Sequence, residues 1–285
     1  MAETCVYRSV ANLNDIILKN IDRIPHNIDL VVGIPRSGML PANLIALYLN
    51  KPYTDIDSFI DGRIYGCGYR GSYIQQHGIK NVLIVDDSIC SGNAMSKAKA
   101  KIQSSGASTQ YNIRYGVVYA RTDTSHNVDV WLECIDKTRV FEWNLFHHKH
   151  ILSRSCVDID GVLCADPLPS QNDDGKNYIQ FLKSATPKFI PTVPIKTLVS
   201  CRLEKYRTLT EEWLVKHNIQ YDKLVLMNMP SAAARRAWGK YGEYKSIEYS
   251  NPDYILFIES SLSEATRIKE LTHKSVFCTE TMRMI

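Results

Sequence analysis

The amino-acid sequence predicts an α/β protein of two domains, each built around a parallel sheet. Short, branched apolar runs alternate with helical stretches in both halves of the chain, which is the pattern of parallel-sheet folds. Two of these runs end in acids, at residues 86–87 and again at Asp158 and Asp160. The length of 285 residues fits two domains of ordinary size. We place them at residues 1–151 and 152–285.

The first domain begins with a helix, for which an apolar stripe at helical spacing is the evidence and Asn12 the expected N-terminal cap. Residues 30–33 indicate a strand, and a helix is expected at residues 40–49. Residues 82–85 are four branched apolar residues in a row, which is typical of a strand buried on both faces. A helical stretch follows Met95.

Residues 82–94 carry the most informative pattern in the chain. The apolar strand is followed by Asp86 and Asp87, and then by a small polar turn in which Gly92 allows close approach of the backbone. Such a turn directs backbone N–H groups and a helix N-terminus at an anion. Carboxylates beside an anion site suit a ligand that offers hydroxyls and a phosphate together, such as ribose 5-phosphate.

At these residues the chain resembles the type I phosphoribosyltransferases, whose signature is an apolar strand, two acids and a Thr/Ser-Gly phosphate loop. The resemblance implies that Asp86 and Asp87 contact the ribose hydroxyls of phosphoribosyl pyrophosphate, and it makes Asp87 a candidate catalytic residue. It also implies that the turn holds the 5-phosphate. The turn residues so assigned are Cys90, Ser91, Gly92, Asn93 and Ala94.

A second turn, at residues 34–38, follows the strand at residues 30–33. Ordinary strand–turn–helix packing would use the same glycines. In the phosphoribosyltransferases this turn binds pyrophosphate, so the resemblance assigns that role to Arg36, Ser37 and Gly38. Arginine has the forked geometry that matches phosphate oxygens. Stabilising the departing pyrophosphate would be a major part of the catalysis.

The segment of residues 57–78 is rich in glycine and tyrosine, and two interpretations of it stay open. It is a surface β-hairpin, or it is the mobile loop that the family folds over its substrate to exclude water. The group that deprotonates the acceptor also stays open among Asp57, Asp61 and Asp87.

The second domain opens with an apolar strand that ends in alternating acids. Asp158 and Asp160 flank one residue, and the chain turns at Gly161. The pattern occurs in calcium loops, and it also resembles motif I of the haloacid dehalogenase superfamily, whose members are mostly phosphatases. The resemblance implies that Asp158 attacks phosphorus, while Asp160 protonates the leaving alcohol and then activates water.

Further motifs of the same superfamily follow in order along the chain. Ser200 ends an apolar strand and matches the hydroxyl that holds a phosphoryl oxygen. Lys245 matches the lysine that neutralises the aspartyl phosphate, with Lys240 as a rival.

The resemblance also implies a magnesium ion, held by Asp158, Asp160 and Glu259. Glu259 ends a third apolar strand and matches the metal-binding acid. Many members carry a second acid directly after the first, and this chain has Ser260 there. The departure puts the geometry of the metal site in question.

The remaining pattern predicts a helix at residues 209–217 and strands at residues 223–227 and 274–277. Between the first two motifs, residues 163–196 leave only about thirty residues, which is too few for a large cap. The expected fold is therefore α/β with two Rossmann-like, parallel-sheet domains. A type I phosphoribosyltransferase fold is followed by a haloacid dehalogenase-like fold with a minimal cap.

The composition excludes several classes of protein. With 45% hydrophobic and 22% charged residues, the chain is typical of globular proteins. A net charge of +4 without a basic run argues against nucleic acid as a partner. No stretch approaches the ~18 apolar residues of a transmembrane segment, and the first residues lack a secretory signal. The eight cysteines have no framework spacing, so we expect reduced thiols and a cytoplasmic location.

The pairing of the two domains bears on the acceptor. A nucleobase salvage enzyme makes a nucleotide whose 5-phosphate is kept, and an attached phosphatase would undo that work. The pairing makes sense if ribose is transferred as its 5-phosphate and then loses the phosphate. A weakly capped phosphatase admits bulky substrates, which favours a glycan acceptor. The combination resembles transferase–phosphatase systems that build ribofuranose into bacterial surface polysaccharides.

Other interpretations stay open. The transferase could act on a free base, with the phosphatase releasing a nucleoside, or the chain could be a protein that only senses phosphoribosyl pyrophosphate. The intact acids and Arg36 count against the sensor. Peripheral contact with a lipid-linked acceptor and assembly into a homo-oligomer are also left open.

Overall fold

The computed structural model describes residues 4–65 and 78–285. These residues form two compact units, each with its own sheet. The first unit comprises residues 8–136, and the second comprises residues 137–285 together with the N-terminal residues through Tyr7. The units divide at residue 137, earlier in the chain than the predicted division after residue 151.

The difference arises from the apolar residues that follow Lys137. Val140, Leu145 and Phe146 are buried in the same hydrophobic cluster as the strands of the second unit, and the ring of Phe146 stacks on Phe189 with centroids 4.6 Å apart. This segment therefore contributes its apolar surface to the second core. Its residues would otherwise be counted with the first domain.

The described helices and strands up to residue 136 begin with a strand that belongs to the second unit, and the others belong to the first. They are β1 (Cys5–Arg8), α1 (Val10–Lys19), β2 (Leu30–Gly33), α2 (Met39–Leu49), β3 (Tyr53–Asp55), α3 (Ile56–Ile60), β4 (Asn81–Ser88), α4 (Asn93–Ser104), α5 (Ala107–Gln110), β5 (Asn112–Ala120) and β6 (Val130–Cys134).

The sheet of the first unit has the strand order β3-β2-β4-β5-β6, and every pairing is parallel. Its central strands β2 and β4 are buried along most of their length. Helix α1 begins earlier than predicted, because Ser9 and not Asn12 is the N-terminal cap. The Ser9 side chain accepts from the Asn12 N–H, and Asn12 returns a bond to the Ser9 N–H, so the two form a capping box.

The second unit continues from residue 137 with the same alternation of strands and helices. Its elements are β7 (Thr138–Phe141), α6 (Lys149–Leu152), β8 (Ser155–Val157), α7 (Lys176–Ser184), β9 (Ile195–Leu203), α8 (Arg207–Lys216), β10 (Tyr221–Met227), α9 (Ala232–Trp238), α10 (Tyr241–Tyr249), β11 (Leu256–Glu259), α11 (Leu262–Thr272), β12 (Ser275–Cys278) and β13 (Arg283–Met284).

The main sheet of the second unit has the order β10-β9-β8-β11-β12-β13, in which only the edge strand β13 is antiparallel among the described pairings. Strands β1 and β7 form a separate two-stranded sheet. The central strand β8 lies between β9 and β11, and all three are largely buried. Across the described residues, the helices are too short or too polar to span a bilayer.

Candidate functional site

The first unit has a topological switch point between β2 and β4. These strands are neighbours in the sheet although β3 lies between them in the chain, so the chain leaves them towards opposite edges. Ligands of open α/β sheets bind at such a point, beyond the carboxyl ends of the strands. The turns at residues 34–38 and 89–92 follow β2 and β4 at this place.

Asp86 and Asp87 lie near the carboxyl end of β4, and both are buried. The N–H of Asp87 donates a hydrogen bond to Oδ1 of Asp86 at 2.9 Å. Burial, and secondly the negative charge of Asp87, raise the pKa of Asp86 to about 8. Hydroxyl donors brought by a ligand would stabilise the charged carboxylates, so the pair is suited to binding a polyhydroxylated group.

Gly38 holds the turn after β2 against these acids. A Cβ atom on Gly38 would lie 2.7 Å from the carbonyl oxygen of Val85 and 2.9 Å from Cα of Asp86, so no side chain fits there. The N–H of Ile34 donates to the same Val85 oxygen at 2.9 Å. The structure thus brings the predicted pyrophosphate turn next to Asp86. Arg36 on this turn is exposed, and the peptide bond between Pro35 and Arg36 is cis.

The turn after β4 has an open, polar surface. Gly92 is in the left-handed region with φ of 78°, where glycine is favoured, and it is the N-cap of α4. Helix α4 begins at Asn93, so N–H groups of its first turn have no intrahelical acceptor and can bind an anion. Except for Gly92, the predicted phosphate-binding residues are exposed; they are Cys90, Ser91, Asn93 and Ala94.

The predicted glycine-rich loop is described only in part, because residues 66–77 lie outside the described residues. Its first residues are not a loop, since Asp57 lies in the short helix α3, where Asp55 is the N-cap. Asp57 contacts Lys101, and Asp61 accepts from Arg63 at 2.8 Å. Both candidate bases are thus exposed and ion-paired.

In the second unit the corresponding switch point lies between β8 and β11. There the ammonium group of Lys245 contacts three carboxylates, each at 2.7 Å: Asp158 after β8, Glu259 at the end of β11, and Glu264 in α11. Burial alone would lower the pKa of Lys245, but these acids raise it well above its usual value.

Lys245 is buried in this cluster, whereas its rival Lys240 is exposed at the start of α10. Glu264 was not predicted from the sequence. The acid sought directly after Glu259 is Ser260, and Glu264 reaches Lys245 from the first turn of the following helix. An acid at the start of a helix that follows such a strand was the available signal.

Asp160 has a second cationic partner that the sequence analysis missed. Nη2 of Arg202 donates to Oδ1 of Asp160 at 2.6 Å and Nε donates to Oδ2 at 3.1 Å, and the Arg202 side chain is fully buried. Arg202 also donates to Thr210 at 3.4 Å. A charged residue within the apolar strand β9, two residues after Ser200, was the signal for a functional or structural ion pair.

These residues line one cavity of about 360 Å³. Asp158, Asp160, Ser200 and Lys245 all contribute to its wall. Gly161 makes the close packing possible, because a Cβ atom on it would lie 2.4 Å from Cβ of Ser260 and its φ is 73°. The structure thus brings the predicted nucleophile, acid, hydroxyl and lysine to a single site.

The acids of this site have the donor chemistry that magnesium prefers, because carboxylate oxygens are hard ligands. In the described residues, however, no three acidic, histidine or cysteine side chains converge as a ready set of metal ligands. Asp158 and Glu259 meet at Lys245, whereas both oxygens of Asp160 face Arg202. Asp158 and Glu259 therefore fit a magnesium site, and ligation by the Asp160 side chain stays a prediction.

Comparisons with known proteins find no protein-family model and no curated protein that matches the chain. Solved structures that resemble it are phosphoribosyltransferases. One is the xanthine-guanine-hypoxanthine phosphoribosyltransferase of Helicobacter pylori, with 14% identity, 50% of this chain and 94% of that chain covered, and a TM-score of 0.36. A purine phosphoribosyltransferase of Pyrococcus horikoshii has 19% identity, coverage of 49% and 93%, and a TM-score of 0.37. The orotate phosphoribosyltransferase of Aeropyrum pernix has 18%, 43% and 68%, and 0.31.

Proposed function

We propose that the chain is a bifunctional enzyme that transfers ribose 5-phosphate from phosphoribosyl pyrophosphate to an acceptor and then removes the 5-phosphate. The observation that carries the proposal is the presence of two acidic sites, each at the switch point of its own parallel sheet. The first site adjoins an open turn suited to anions, and the second pairs a buried aspartate with a buried lysine.

In the transfer step, the acceptor oxygen attacks C1 of the ribose as the bond from C1 to the pyrophosphate oxygen breaks. Asp86 and Asp87 would hold the ribose hydroxyls, while N–H groups at the start of α4 hold the 5-phosphate. Arg36, Ser37 and the backbone at Gly38 would stabilise the leaving pyrophosphate, which takes the bonding electrons. The buried position of Asp87 beside this site favours it over the ion-paired Asp57 and Asp61 as the base that accepts the acceptor's proton.

In the phosphatase step, Asp158 would attack phosphorus and Asp160 would protonate the leaving ribosyl oxygen. Asp160 would then accept a proton from the water that hydrolyses the aspartyl phosphate, so that both carboxylates are regenerated. Lys245 and Ser200 would hold the phosphoryl oxygens. A magnesium ion bound at Asp158 and Glu259 would offset the negative charge that gathers during transfer.

A glycan is the acceptor that the arrangement favours. Removal of the 5-phosphate leaves a ribofuranosyl unit, which is a useful product on a glycan and a wasteful one in nucleotide salvage. Between β8 and β9 the structure has one helix of ordinary length, α7, rather than a folded cap domain. A phosphatase without a large cap can act on the end of a bulky molecule.

Variants that disable one site each test the proposal. Asp86→Asn with Asp87→Asn should abolish pyrophosphate release from phosphoribosyl pyrophosphate and acceptor, yet leave the hydrolysis of small phosphate esters intact. Asp158→Asn should have the opposite effect. Asp222→Asn, at an exposed acid of β10, is the control and should retain both activities. Unchanged pyrophosphate release in the folded double variant would refute the transferase site.

A further inference from the structure

One wall of the cavity in the second unit is cationic. Arg235 and Arg236 of α9 line the same cavity as Asp158 and Asp160. The cations nearer the acids are already neutralised, since Lys245 contacts three carboxylates and Arg202 contacts Asp160. Among the described residues neither arginine of α9 forms an ion pair. The cavity therefore presents two guanidinium groups whose charge no acid of the described chain compensates.

Both guanidinium groups are fixed in place by hydrogen bonds to uncharged groups. Arg235 donates through Nη1 to the carbonyl oxygen of Cys201 at 2.9 Å and through Nη2 to Oδ1 of Asn172 at 3.3 Å. Arg236 donates to the carbonyl oxygen of Asn172 at 3.3 Å. The helix itself is tied to the same loop, because the N–H of Ala232 donates to Asp174 at 3.0 Å. The arginines are thus positioned before any ligand binds.

One donor of this wall lacks an acceptor. Nε of Arg235 is buried, and within the described part of the chain it has no hydrogen-bond partner. A buried donor without a partner costs free energy, and such donors are rare in folded proteins. At the edge of a cavity, an oxygen atom of a ligand is the partner that removes this cost. An anionic oxygen suits the site best, because it also compensates the charge of the guanidinium group.

We propose that Arg235 and Arg236 form an anion subsite that selects phosphate monoesters whose alcohol part carries a second anionic group, either a carboxylate or a phosphate. The inference rests on the proposed phosphatase function. The reacting phosphoryl group already has Lys245 and Ser200 beside Asp158, so the α9 wall is left for another part of the substrate. A volume of about 360 Å³ is at the small end of ligand pockets, which leaves room for one sugar-sized group between the two walls.

Three related esters test the proposal: ribose 5-phosphate, 5-phosphoribonate, which adds a carboxylate at C1, and ribose 1,5-bisphosphate, which adds a phosphate there. Loss of the 5-phosphate is followed by mass spectrometry. The wild-type protein should show a kcat/KM about tenfold or more higher for at least one of the doubly anionic esters than for ribose 5-phosphate. The ester with the larger preference identifies the second anion as a carboxylate or a phosphate.

Arg236→Gln should reduce that preference about tenfold through KM, because its side chain is exposed and its loss leaves the core intact. Arg283→Gln, at an exposed arginine of β13, is the control and should keep the wild-type preference. Equal losses for all three esters would overturn the proposal, since Arg236 would then bind the reacting phosphoryl group. Equal kcat/KM values of the wild-type protein for the three esters would also overturn it.

Binding measurements separate this proposal from the phosphatase function. Calorimetric titration of Asp158→Asn with 5-phosphoribonate and with ribose 5-phosphate should give the tighter dissociation constant for 5-phosphoribonate, and the added Arg236→Gln change should remove the difference. If the wild-type protein hydrolyses none of the esters, the phosphatase function fails while the titration still decides the subsite. Equal dissociation constants, with ribose 1,5-bisphosphate also no tighter, would refute the subsite.

Discussion

Nζ of Lys245 lies 2.7 Å from Oδ2 of Asp158, and both side chains are buried. The same ammonium group contacts Glu259 and Glu264, so it compensates three acids drawn from three elements of the second unit. Burial raises the pKa of Asp158 well above its usual value, although Lys245 opposes this effect. The stability of the second unit and its proposed chemistry therefore depend on one lysine.

Lys245→Met is expected to lower the free energy of unfolding by about 3–5 kcal/mol, because it leaves buried carboxylates without their cation. It should also abolish phosphate release. Urea unfolding followed by circular dichroism measures the first effect. Lys240→Met, at the exposed start of α10, should change the free energy of unfolding by less than about 0.5 kcal/mol. Equal effects of the two changes would contradict the buried cluster.

The pKa of Asp86 predicts how the stability of the unliganded protein depends on pH. The folded-state pKa of about 8 lies above the ordinary value of 3.8, so the folded state binds the proton more tightly than the unfolded state does. The stabilisation is fully present below pH 3.8, falls as pH rises, and is lost above pH 8. The slope between these limits is at most about 1.4 kcal/mol per pH unit.

Asp86→Asn should flatten this dependence, because asparagine does not titrate. Urea unfolding of the wild-type protein and the variant at several pH values between 5 and 8 measures the difference. The control is Asp123→Asn, an exposed acid paired with Arg121, which should follow the wild-type profile. Parallel profiles for the wild-type protein and Asp86→Asn would show that Asp86 titrates normally.

Gly38→Ala should disrupt the first site while leaving the second intact. The added methyl group would meet backbone atoms of Val85 and Asp86, which cannot move as a flexible side chain can. We expect a loss of about 1–3 kcal/mol in stability, and a large loss of pyrophosphate release with phosphate release retained.

Gly116→Ala in β5 is the matched control for this change. Its methyl group would lie 3.3 Å from Cδ1 of Leu83, a side-chain end that can shift slightly. It should therefore lose less stability than Gly38→Ala and keep pyrophosphate release. Full transferase activity in Gly38→Ala would mean that the turn at residues 34–38 does not need its close approach to Asp86.

Local patterns were sufficient for the strands that carry the sites. The apolar run at residues 30–33 coincides with β2, and the run at residues 82–85 forms the centre of β4. These predictions succeed because burial on both faces leaves a continuous apolar run in the sequence itself. Lys245 was also predicted, although the choice over Lys240 needed the structure.

Contacts between distant residues were less predictable. Arg202 pairs with Asp160 across 42 residues, and no local pattern specifies that partner. Asp57 was predicted within a loop, yet Asp55 caps a short helix there that glycine-poor residues 56–60 support. The unit boundary was misplaced for a related reason, since the apolar residues after Lys137 could pack on either core.

Sequential action of the two units on one product is tested most directly by the product mass from Asp158→Asn. The protein is incubated with phosphoribosyl pyrophosphate and a panel of bases, sugars and oligosaccharides. The wild-type protein should yield a ribosylated oligosaccharide, and Asp158→Asn should yield the same product heavier by one phosphoryl group. A nucleotide in place of a phosphoribosyl glycan would identify a nucleobase as the acceptor. A fully dephosphorylated product from Asp158→Asn would contradict the assignment of the second unit as the phosphatase.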